Sequence, residues 1–76
     1  MDGINSDVPE WPYEQVLRDL RIKIAGMPPH RLLPSVTSLS QQYGIAWKTA
    51  RKAYEVLEGD GLVYVKARRG FFTAGP

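Results

Sequence analysis

The chain has 76 residues, no cysteine, a formal net charge of +2, 43 % hydrophobic and 24 % charged residues. That describes one small globular domain hiding only about 60 % of its unfolded surface, and it excludes a disulfide framework and any thiolate zinc site. No apolar run approaches the roughly 20 residues of a membrane span, and the acidic opening MDGINSDVPEWP is no signal peptide, so the expected location is the cytoplasm.

Residues 1–10 have no apolar period and read as a flexible leader to a domain over 11–76. Trp11 is expected to pack against the start of the first helix. Pro12 suits the first turn, where its missing N–H would be unpaired anyway. Tyr13, Val16, Leu17, Leu20 and Ile24 follow as an amphipathic stripe, and Gly26 with Pro28-Pro29 stops it, predicting a helix over Pro12–Ala25. His30 to Pro34 reads as an extended connector anchored by Leu32 and Leu33. Ser35 is a natural N-cap for a short helix over Val36–Tyr43, whose stripe is Val36, Leu39 and Tyr43 and whose end is Gly44. Ala50, Ala53, Tyr54 and Leu57 predict a third helix over Trp47–Glu58, closed by Gly59 and Gly61, with Ala46 a poor cap. Leu62 to Val65 and Phe71 to Thr73 read as two strands around an Ala67–Gly70 turn. The fold class is therefore mainly α with a small β-hairpin, the order of a three-helix winged helix-turn-helix.

Charge is segregated along this order. Residues 1–19 hold five acids against Arg18, whereas Leu20 to Tyr54 hold six bases and no acid. Glu55, Glu58 and Asp60 follow, and Lys66, Arg68 and Arg69 make the tail basic. One basic and one acidic face is the footprint of a polyanion binder, with chance clustering on a solvated surface as the bland alternative. Two helices joined by about three residues including a glycine have helix-turn-helix spacing, in which the second helix offers its N-terminal half to the major groove. Here that half carries Trp47, Lys48, Thr49, Arg51 and Lys52, of which Trp47, Lys48, Arg51 and Lys52 fall largely off the apolar stripe. Arg51 is the foremost candidate for a base contact, since arginine grips guanine O6 and N7 bidentately. Lys48 and Lys52 suit phosphates, as do Arg68 and Arg69 beside Lys66 in the hairpin turn. Trp47 is open between a structural lid on the turn and a contact to a thymine methyl. His30 has no companion ligand, and Ser35 and Ser38 read as caps, so no metal, cofactor or catalytic set is expected.

The run Leu33-Pro34-Ser35, Leu39, Tyr43-Gly44-Ile45, Thr49-Ala50-Arg51-Lys52-Ala53, Leu57, Gly61-Leu62-Val63 and Arg69-Gly70 with Phe72 resembles the N-terminal winged helix-turn-helix domain of GntR-type transcriptional regulators. Tyr13-Glu14-Gln15-Val16, Leu20-Arg21, Ile24 and Gly26 also fit the family's opening helix. The resemblance implies a bacterial, nucleoid-associated domain that binds double-stranded DNA sequence-specifically; since one such domain buries little DNA surface, two copies, as a homodimer, on a palindromic or repeated operator are expected. It puts Ser35 in the Leu-Pro-Ser motif, Thr37, Trp47 and Arg51 at DNA-contacting positions, and Gly70 in the wing. The chain departs from the family where Val36 and Thr37 replace an acid and an arginine, where Ala46 and Trp47 replace a hydroxyl residue and an arginine, and where Arg68 replaces the wing's first glycine. The fold is expected to transfer and the base-reading code to differ. An effector-binding domain normally follows; ending at Pro76, the sequence reads as either a fragment or a small stand-alone regulator. Two other functions share the residues: an architectural or recombination-accessory DNA binder, and a winged-helix protein-interaction module using the acidic leader and Trp47.

Overall fold

The structure, a computed structural model, describes residues 12–75; the leader and Trp11 lie outside them. Helix α1 spans Tyr13–Ala25 and buries Val16, Leu20 and Ile24, the residues of the predicted stripe. Pro12 stands one position outside the predicted start: it is the N-cap, with extended backbone. Its carbonyl accepts from the Gln15 and Val16 N–H groups at 2.9 and 3.0 Å. Gly26 ends the helix at φ −92°, so no left-handed geometry is needed there.

Helix α2 is Val36–Tyr43, as its signals predict. The Ser35 hydroxyl accepts from the Ser38 N–H at 3.1 Å, satisfying one of the orphan donors of the first turn; Ser38 is the capped residue rather than a cap. At the other end Gly44 takes φ 64°, a conformation that costs any side chain with a Cβ about 1–2 kcal/mol. The chain thereby reverses within three residues into α3, Trp47–Gly59. Gly59 lies inside this helix, one residue past the predicted end, and Asp60 caps it. Ala46 offers no side-chain cap.

Strands β1, Val63–Lys66, and β2, Gly70–Thr73, pair antiparallel with Val63 opposite Thr73 and Lys66 opposite Gly70. Strand β1 begins one residue later than predicted, because the Leu62 N–H turns back to the Leu57 carbonyl at 2.9 Å to close α3, and the Lys66–Gly70 pair extends both strands by one residue at the turn. The connector before α2 adds a third edge to the hairpin. The N–H groups of His30 and Leu33 donate to the Thr73 and Phe71 carbonyls at 2.8 Å, and the Thr73 N–H returns to Arg31 at 2.9 Å. Extended backbone alternates its faces, so Leu33 is buried in the core while Leu32, expected as a second anchor, is 61 % exposed.

The core lies between the three helices and the inner face of the hairpin, centred on Leu39, Ala50, Ala53, Tyr54, Leu57 and Val63. Two polar devices lock its periphery. Thr73, nearly fully buried, accepts from the Arg31 N–H and donates to the Pro28 carbonyl, each at 2.8 Å. Tyr43 donates to the Asp19 carboxylate and accepts from Lys23 Nζ at 3.3 Å, clasping α1 to α2. The Asp19 carboxyl is held below its usual range by the Tyr43 hydroxyl and then by Lys23, while burial pushes the Tyr43 hydroxyl up.

Candidate nucleic-acid interface

The orientation of α3 against α2 is set from below by Tyr54. Its ring is fully buried and stacks on Phe71 with centroids 4.5 Å apart, which seats the hairpin on the helix. Its hydroxyl donates to the Pro34 carbonyl at 2.5 Å, immediately before the cap of α2. Burial raises this hydroxyl's pKa far above the ordinary tyrosine value. One side chain thus joins α3, the hairpin and the start of α2.

On the opposite side of α3 the first two turns are open. Trp47 is 47 % exposed and lies outside the core cluster, so the indole is no buried lid on the turn. The Arg51 guanidinium sits 5.8 Å from its ring centroid, within cation–π range. Arg51 Nε also donates to Glu55 Oε2 at 3.0 Å, so Trp47, Arg51 and Glu55 form one line at successive i,i+4 positions. The Arg51–Glu55 spacing was available in the sequence as a helical ion pair and is the partner that reading by charge blocks missed. Lys48 is exposed and Thr49 half-buried.

Lys52 is exposed and also meets an aromatic ring. Its ammonium lies 5.4 Å over the Tyr13 ring of α1, which reaches back across the helix pair. Ser35 serves the cap described above, and Thr37, exposed in the first turn of α2, has its carbonyl engaged by the Ser40 hydroxyl at 2.8 Å. In the wing, Lys66, Arg68 and Arg69 are all exposed. Arg68 holds φ 68°, so the left-handed turn is made even without a glycine there, at a cost in strain. Gly70 has φ 115°, a backbone angle that calls for glycine; a Cβ there would stand 3.3 Å from Cδ1 of the exposed Leu32 side chain, which need give only slightly.

The ion pairs sort the cations into two sets. Arg21 pairs with Asp60, Lys23 with Asp19, and Arg51 with Glu55. Among the described residues, Arg18, Arg31, Lys48, Lys52, Lys66, Arg68 and Arg69 form no ion pair; of these, Lys48 lies on the first turn of α3 and Lys66, Arg68 and Arg69 in the wing, where their charge is available to an external anion. Also among the described residues, no group of three or more acidic, histidine or cysteine side chains is placed to hold a metal ion, and no helix is long and apolar enough to cross a membrane.

The sequence model of the bacterial regulatory proteins of the gntR family matches residues 12–73. The chain belongs to this family. It is 45 % identical over 42 residues to the HTH-type transcriptional regulator YjiR of Escherichia coli K12, covering 55 % of the chain and 9 % of YjiR. It is 35 % identical over 53 residues to the HTH-type transcriptional regulator Rv1152 of Mycobacterium tuberculosis, covering 70 % of the chain and 44 % of Rv1152. The chain therefore spans less than half the length of these curated relatives. Among solved structures, AraR(DBD) in complex with operator ORX1 superposes with a TM-score of 0.75 at 30 % identity, covering 97 % of this chain and 92 % of that one. The three helices and two-stranded hairpin are the winged helix-turn-helix of gntR-family DNA-binding domains.

Proposed function

We propose that this gntR-family domain binds double-stranded DNA sequence-specifically as part of a bacterial transcriptional regulator acting at the nucleoid. Helix α3 enters the major groove and the wing turn lies on the backbone or in the minor groove. The observation that carries this reading is that the first turn of α3 and the wing carry exposed cations with no ion pair, Lys48 on the helix and Lys66, Arg68 and Arg69 at the wing, whereas Arg21, Lys23 and Arg51 are held by acids. The likeness to AraR(DBD), solved with its operator, supports it. Lys48, Lys66, Arg68 and Arg69 grip phosphates, supplying most of the affinity without reading sequence. Thr49 and Arg51 face base edges, Ser35 and Thr37 approach the backbone at the start of α2, and Gly70 lets the wing turn approach closely. Lys52 contributes by long-range attraction, its ammonium being stacked on Tyr13. One such module covers little DNA, so two copies on a palindromic or repeated operator supply useful affinity.

The test is an NMR titration of the labelled domain with random and selected duplexes at low and moderate salt. Shifts concentrated in residues 35–52 and 66–70, deeper with the selected duplex, are the expected result. Neutralising about four to six phosphates predicts a log–log salt slope of about −4 to −5. Absence of shifts at low salt would refute the proposal.

A further inference from the structure

Trp47 stands at the N-terminal turn of α3 with an indole 47 % exposed and no place in the core, an arrangement that forgoes the packing a tryptophan normally earns. One turn on, Arg51 is restrained from two sides, by the indole at 5.8 Å and by Glu55 at 3.0 Å. The bond to Glu55 uses the Nε–H alone. The four Nη–H donors stay available, and they form the end-on fork that fits guanine O6 and N7. What the exposed indole surface can offer a base edge is apolar contact, and the apolar group in the major groove is the C5-methyl of a pyrimidine. Residues four apart on a helix are separated by about 6 Å along its axis, against a base-pair rise of about 3.4 Å, so the two groups reach bases one or two steps apart.

We infer that Trp47, Arg51 and Glu55 act as one reading unit for a 5-methylpyrimidine near a guanine: Trp47 packs on the methyl, Arg51 grips the guanine, and Glu55 is a positioning residue that aims Arg51. The inference rests on the DNA-binding reading above. The recognised chemistry is shared by thymine and 5-methylcytosine. Glu55 also sets a distinctive balance, because its carboxylate repels phosphates while it orients the arginine. It lowers affinity for DNA in general and sharpens discrimination among bases.

The experiment selects binding sites for the domain from a random duplex pool and measures Kd on the selected site by fluorescence anisotropy. Each thymine is replaced in turn by deoxyuridine, which deletes only the methyl, or by 5-methylcytosine in a C·G pair. One deoxyuridine substitution is expected to weaken the wild-type domain about three- to tenfold and to leave Trp47→Ala within about twofold. At that position 5-methylcytosine is expected to bind at least threefold more tightly than cytosine if the indole reads the methyl irrespective of its base; a preference for thymine alone would restrict the reader to thymine and overturn the shared-methyl assignment. Glu55→Ala is expected to bind random duplex more tightly and to lose about fivefold or more of the guanine preference. Glu55→Gln shares the gain on random duplex but keeps the preference, since its amide oxygen still accepts the Nε–H. Equal behaviour of the two Glu55 variants, or no methyl-sensitive thymine, would overturn the inference while leaving DNA binding intact. Failure to select any site would overturn the DNA-binding reading and the inference together. The base replacements measured with the wild-type domain alter only the DNA, so the methyl dependence is read without relying on how well any variant folds.

Discussion

Tyr54→Phe removes a single oxygen atom and isolates the hydrogen bond that joins α3 to the start of α2. The ring, its burial and its stack on Phe71 are retained; the Pro34 carbonyl loses the donor at 2.5 Å. A net hydrogen bond contributes about 1 kcal/mol, and leaving a buried acceptor unpaired costs about 1–3 kcal/mol, so a loss of about 1–2 kcal/mol is expected. For a domain of this size total stability is about 4–11 kcal/mol, and that loss lowers Tm by about 5–15 °C. The alkaline limb supplies a second signature. Burial raises the folded-state pKa of Tyr54, so the stability linked to it is fully present below the unfolded value of about 10 and is lost as pH rises toward the folded value. At pH 10.5 the wild type has lost on the order of 1 kcal/mol through this group, which the phenylalanine variant cannot lose. Urea denaturation at pH 7 and pH 10.5 therefore measures a deficit for Tyr54→Phe that narrows by that amount. A deficit under 0.5 kcal/mol at pH 7, or one that widens at pH 10.5, would refute the assignment of the hydroxyl as a buried, bonded donor.

Thr73→Val keeps the shape of a buried side chain but strands the Arg31 N–H and the Pro28 carbonyl; a loss of about 2–3 kcal/mol is expected by thermal denaturation, and a neutral result would mean water reaches both groups. Arg68→Gly separates stability from binding. Relief of the left-handed strain is expected to raise stability by about 0.5–1 kcal/mol, while loss of one phosphate-facing cation weakens DNA binding and flattens the salt slope by about 1. Asp19→Asn is expected to flatten the acid limb of a stability–pH curve. The folded carboxyl is held low first by Tyr43, so its contribution is present above the ordinary carboxylate range and disappears as pH falls through the depressed value. Denaturation between pH 7 and pH 2.5 checks this, and an unchanged acid limb would refute it.

Much of the fold was legible because its signals are local. The Ser35 cap, the Gly44 reversal and the stripes Val16–Leu20–Ile24 and Ala50–Tyr54–Leu57 depend on residues within a turn or two of one another, and each reappears as observed structure. The element order and the match of loop lengths to a winged helix-turn-helix follow from those local signals. Arg51 was likewise visible as an off-stripe cation in the N-terminal half of α3, and its i,i+4 acid was in plain view.

Contacts between segments distant along the chain could not be read this way. Tyr54 and Pro34 are 20 residues apart and Thr73 and Pro28 are 45 apart, and no periodicity relates a hydroxyl to a carbonyl at such separations. Leu32 and Leu33 look alike in sequence, yet only pairing with β2 decides which one faces the core. Lys48 and Lys52 are equally off-stripe lysines, but the approach of α1 gives Lys52 an aromatic ring to lie on and leaves Lys48 to an external anion. Composition and spacing thus determined which elements form and in what order, because backbone capping and amphipathic burial act over a few residues. That Arg21 is neutralised by Asp60 and that Lys52 lies against Tyr13 was decided only when folding brought an acid and a ring from distant segments within a few ångströms, where Coulomb and dispersion forces act.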